Sequence, residues 1–255
     1  MSDYDRYANT RYGAGLARSG VAVDQGLRAY MIGVYNYMTL GLGVTGLVAY
    51  AAFTLGTVDV GNGRLALTDF GHTIYASPLR WLIVLSPLAL VFWLSARLNT
   101  MSVATARNAF IAFAALIGLS MSALLVVYTG ASIGRAFFAA AAAFASLSLY
   151  GYTTQRSLSA MGSFMMMGVI GLIVAGLLNM FLHSTGLQFG ISLLAVGIFA
   201  GLTAWDTQAI KQMYFEGDSH EMVQKKSIHG ALRLYLDFIN MFQALLMLTG
   251  SQRSN

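Results

Sequence analysis

Seven apolar stretches divide the chain, and each is long enough to cross a bilayer as a helix, which needs about 20 residues. They fall at 29–55, 79–98, 108–128, 133–152, 161–182, 189–214 and 228–249. In hydrocarbon a backbone must satisfy its own hydrogen bonds, so such stretches become helices rather than loops or open sheet. Composition agrees. Of the 255 residues, 57% are hydrophobic and 10% are charged, whereas a soluble domain carries about 25% charged residues. The expected fold is all-α and integral to the membrane, with seven transmembrane helices in a single domain over 29–255. Residues 1–28 are polar and aperiodic, and read as a flexible cytoplasmic tail. No apolar signal core precedes the first stretch, which is therefore expected to act as an uncleaved anchor.

The last stretch sets the internal plan. Residues 227–249 carry His229, Arg233, Asp237, Asn240 and Gln243, and at ~100° per residue these fall within a sector of about 120°. A charge at the bilayer centre costs at least about 2.5 kcal/mol. The stripe must then face protein or a water-filled cavity, which makes this the central helix of the bundle. Glycines such as Gly168, Gly171 and Gly176 suit close helix approach in lipid, and Pro87 is expected to kink the second span.

Charge gives an orientation and excludes several functions. With the N-terminus inside, ten of the 15 Lys and Arg lie on the cytoplasmic side and four on the other, Arg233 being within the last span. The N-terminus is therefore expected in the cytoplasm and the C-terminus outside. The net charge of +5 is scattered through short loops, which suits anionic lipid and not nucleic acid. With no cysteine, thiolate metal sites and cysteine nucleophiles are excluded. The four His have no metal-ligand spacing, and no Ser/His/Asp set has an interpretable context. No enzyme and no bound cofactor are expected.

Two acids remain inside spans, Asp206 and Asp237. At ~1.5 Å per residue both lie about 12–14 Å below the same surface, on consecutive and therefore neighbouring helices. Two adjacent carboxylates in a low dielectric cannot both ionise cheaply, so such a pair shares a proton or binds a cation. Calcium takes about 6–8 oxygens; two Asp, Asn240 and carbonyls supply some, which makes a weak site. The structural alternative is an ion pair of Asp237 with Arg233, one turn away. Arg97 ends the second span, either as an interfacial anchor or reaching inward to Asp206.

The stretches GYTTQRSLSAMGSF (151–164), GLTAWDTQAIKQMY (201–214) and ALRLYLDFIN (231–240) resemble the Bax inhibitor-1 family, in particular its bacterial inner-membrane branch. The resemblance implies two three-helix layers around a central C-terminal helix. It also implies a pH-sensitive passive calcium leak of the inner membrane, sensed by an aspartate pair that falls on Asp206 and Asp237. An arginine of the second helix locks the closed form in that family, and Arg97 is the nearest match. Many members carry an acid where this chain has Ser157. Calcium and protons, together with membrane lipid, are the partners so implied. The rival reading is a non-conducting regulator, since some bacterial members are linked to a membrane-bound quality-control protease.

Overall fold

The computed structural model describes the backbone of residues 3–61, 64–97 and 100–253, with side chains from residue 25. Seven long helices follow one another: α1 Asp3–Gly56, α2 Leu79–Arg97, α3 Val103–Val127, α4 Gly130–Thr153, α5 Ser159–Leu182, α6 Thr185–Gln212 and α7 His220–Thr249. All seven have a segment long and apolar enough to cross a membrane, which in α1 is Gln25–Gly56. The helix of α1 thus begins within the segment set apart as a tail, whose residues 1–2 lie outside the described backbone and whose side chains to residue 24 lie outside the described ones.

Local chemistry sets the helix ends. Ser102, Thr129, Ser184 and Ser219 each stand just before a helix and accept a backbone N–H from its first turn, at 3.2–3.3 Å. Such caps satisfy donors that the helix itself leaves free. Ser184 starts α6 four residues before the apolar stretch. Ser219 starts α7 eight residues earlier than expected, because His220, Glu221, Lys225 and Lys226 are polar without being helix breakers. Pro87 lies inside α2, which continues past it.

The long connection after α1 is not featureless. It forms a two-stranded antiparallel hairpin, Thr57–Asp59 with Leu65–Leu67, and then two short helical turns. Tyr75 donates to Ser122 Oγ at 3.0 Å and holds this cap on α3. The C-terminus folds back likewise: Arg253 N donates to the Val127 carbonyl at 2.9 Å.

The helices form two layers, α1–α2–α3 and α4–α5–α6, with α7 between them against α1, α3, α4 and α6. In the most apolar window of α7, 61% is buried, against 0% in α5. In lipid, apolar burial does not by itself draw helices together, so packing and hydrogen bonds must hold α7. Tyr235 is fully buried and shares a 2.6 Å hydrogen bond with Thr45 of α1, while Phe110 and Phe113 of α3 meet its ring edge-on. On the other side Phe238 meets Phe137 and Phe144 of α4.

Candidate functional site

The site lies where α6 and α7 pack together. On α6, Thr203, Asp206, Thr207 and Ile210 are all buried at helical spacing. On α7, Gly230 lets Ile210 of α6 and Val34 of α1 come close, which draws the two helices together one turn before the charged residues. Asp206 is 6% exposed and Asp237 is 4% exposed. The two acids line one cavity together with Arg233, close enough for their carboxyls to interact.

Arg233 sits between the helices. Its guanidinium pairs with Asp206 across the interface, not with Asp237 one turn along its own helix. The same guanidinium lies 5.1 Å over the Trp205 ring, a cation–π contact that fixes its plane. Trp205 has space for this because Gly162 of α5 has no side chain; a Cβ there would strike the ring. Asp237 is left differently. Its Oδ2 is buried and has no donor among the described residues. Two carboxylates offer each other acceptors only, so their contact becomes a hydrogen bond when one proton is shared.

A cavity of about 600 Å³ begins at Asp206, Arg233 and Asp237 and runs beside α7 to Gln188 and Met247. Exposure rises along it: Asp237 is buried, Asn240 and Gln243 are half-buried, and Met247 is exposed. Toward the α6–α7 loop the path is filled. Tyr30, Val34, Ile210 and Ile228 are between 0% and 2% exposed there. The aspartate pair is thus open to one face of the bundle and closed to the other.

Of the other residues singled out from sequence, Asn240 and Arg233 line the cavity and His229 does not. Asn240 donates to the Leu236 carbonyl at 2.8 Å. The side chain of Arg97 is exposed at the end of α2 and forms no ion pair among the described residues. Of the two readings of Arg97, its exposed position fits the interfacial anchor; the guanidinium on Asp206 is that of Arg233, which is already at the α6–α7 interface. Among the described residues no cluster of three or more His, Asp or Glu forms.

Sequence reasoning missed four groups. Gln188 and Ser192 of α6 line the outer cavity; their spacing of four, on the Asp206 face, was the available signal. Gln208 accepts from Leu158 N at 2.8 Å and donates to the Arg156 carbonyl at 2.9 Å, clamping the α4–α5 connection. Tyr35, Ser148 and Thr207 form a hydroxyl chain at 2.6 and 3.0 Å from α1 through α4 to α6. Neither of these last two has a signal in one chain's spacing, because each joins distant helices.

Comparison with known proteins places this architecture. A family model described as "Inhibitor of apoptosis-promoting Bax1" matches residues 27–254. A Rickettsia prowazekii protein is 45% identical over 230 residues, 90% of this chain and 92% of that protein. A Caulobacter vibrioides protein is 41% identical over 99% of this chain and 100% of its own length. The inner membrane protein YbhL of Escherichia coli K12 is 39% identical, covering 89% of this chain and 94% of that protein.

Proposed function

The chain belongs to the Bax inhibitor-1 family, and from that premise we propose that it is a pH-sensitive passive calcium leak of a bacterial inner membrane. One observation carries the reading: a buried carboxylate with an unpartnered oxygen, Asp237, faces a second carboxylate, Asp206, at the inner end of an open cavity. With both acids ionised, Arg233 compensates one and leaves the other to a cation. Calcium arriving through the cavity meets two carboxylates and Asn240, fewer oxygens than the 6–8 it prefers, so it passes rather than stays. A proton on the pair removes that negative charge and weakens the hold of Arg233 on Asp206. Because Asp206 is on α6 and Arg233 on α7, the charge of the pair biases the packing of the two helices, and hence the plug beside them.

The test is calcium flux into liposomes containing the purified protein, scanned over pH. Flux is expected to rise on acidification. Asp206→Asn, Asp237→Asn and the double variant are expected to flatten that response to a similar, non-additive extent, as coupled neighbours do. Additive effects would break the pair into two independent groups, and no flux at any pH would end the leak reading.

A further inference from the structure

We propose that the cavity beside the aspartate pair binds amphipathic primary amines, with the ammonium on Asp237 and the alkyl chain along the cavity toward Met247. This deepens the calcium reading and rests on it for one consequence, block of the calcium path; the binding itself stands on geometry.

The head of the site is short of one cation and one donor. Asp206, Asp237 and Arg233 are the charged groups lining the cavity, so one guanidinium stands against two carboxylates. Arg233 is committed to Asp206. Asp237, 4% exposed, keeps Oδ2 without a donor, and leaving a buried acceptor unsatisfied is costly. A metal ion would satisfy that oxygen by coordination and a primary ammonium by charge and N–H donation together, so the rest of the cavity decides between them.

Beyond the charges the wall has two sides: Asn240 and Gln243 of α7 with Gln188 and Ser192 of α6 make a polar strip, and the side facing them is apolar. Leu172, Ile173, Ile191, Ala195 and Leu236 form wall beyond the charges. The volume of about 600 Å³ lies within the ~300–1,000 Å³ of small-molecule sites. From Asp237 to Met247 the cavity follows ten residues of α7, about 15 Å at 1.5 Å per residue. A dodecyl chain extends over a comparable length. An inorganic ion would satisfy the head and leave this wall bare. The wall also reaches the outer surface: Leu88 is 53% exposed and Ile173 is 58% exposed. On a helix bundle in lipid that exposure faces acyl chains, so an amphiphile dissolved in the bilayer enters from the side.

Trp205 lines the same cavity, and the other two tryptophans, Trp81 and Trp93, lie on α2. With Trp81→Phe and Trp93→Phe, the emission of Trp205 reports the site in calcium-free nanodiscs. Dodecylammonium is expected to shift that emission saturably, and dodecanol, with the same tail and no ammonium, is not. Dodecyltrimethylammonium, charged but without an N–H donor, is expected to bind more weakly. Asp237→Asn is expected to weaken dodecylammonium binding by about tenfold or more, the loss that goes with a buried charge-assisted bond. Equal response to dodecanol and dodecylammonium with the site residues unsubstituted overturns the proposal, and it requires only the changes at Trp81 and Trp93, both exposed on α2. So does undiminished binding to folded Asp237→Asn. Binding without any calcium flux leaves this inference standing and removes the leak; flux without binding does the reverse.

Discussion

Arg233 is the residue on which the site's electrostatics turn. It gives Asp206 its counter-charge and stacks on Trp205. Taking one partner from a buried ion pair costs about 3–5 kcal/mol, and less here because a quarter of the Arg233 side chain is exposed. Arg233→Ala is therefore expected to lower the unfolding midpoint, raise calcium flux at neutral pH and blunt the response to acid. Arg233→Lys keeps the charge but loses the planar fork that the Trp205 face orients, and is expected to recover part of the response. Arg97→Ala is expected to match the unsubstituted protein in the same liposome assay. A pH response lost in Arg97→Ala and kept in Arg233→Lys would return the lock to α2. The stripe containing Arg233 was legible in the sequence, because angles around one helix follow from residue numbers. Its partner was not. Spacing offers Asp237 one turn away, but the rotation of α6 against α7 decides the pairing, and single-helix periodicity carries no information on that rotation.

At the scale of elements, span positions were legible to within a few residues because the bilayer imposes a length on apolar runs. The ends were less so, since hydropathy marks the apolar part of a helix while the caps Ser184 and Ser219 set its first turn. What holds the elements together was least visible. Thr45 donates to the Ala114 carbonyl at 2.9 Å and bonds Tyr235, so one hydroxyl ties α1 to both α3 and α7. Thr and Tyr are common in spans, and nothing in their local sequence marks these two. Interhelical hydrogen bonds in membranes contribute about 0.6–1.7 kcal/mol. Thr45→Val keeps the shape and removes the hydroxyl, leaving the buried Tyr235 oxygen without that partner. It is expected to destabilise the protein by about that amount, read from the unfolding midpoint in detergent, while leaving the cavity and its residues in place. An unchanged midpoint would mean that aromatic packing alone seats α7.

For the whole molecule, the arrangement of two layers about α7 follows from one fact: the helix that carries the polar stripe cannot face lipid. The layers meet over α7, and on the α5–α6 side they leave the cavity that exposes the stripe. Orientation then decides which compartment the aspartate pair meets. From the ten-to-four bias in Lys and Arg the α6–α7 loop is expected in the cytoplasm, and with it the plug of Tyr30, Val34, Ile210 and Ile228 is expected to face inward and the mouth near Met247 outward. The chain has no cysteine, so single-cysteine labelling reads this directly. Gln243→Cys, half-buried on the cavity wall, is expected to react with a membrane-impermeant thiol reagent applied to spheroplasts, and not with the same reagent applied to inverted vesicles. Ile228→Cys, within the plug, is expected to stay unreacted from either side at neutral pH and to become reactive on acidification as the helices shift. Labelling of Gln243→Cys from inverted vesicles alone would reverse the topology. Failure to label it from either side would show that water does not reach the stripe, and the pair would lose its route to both ions.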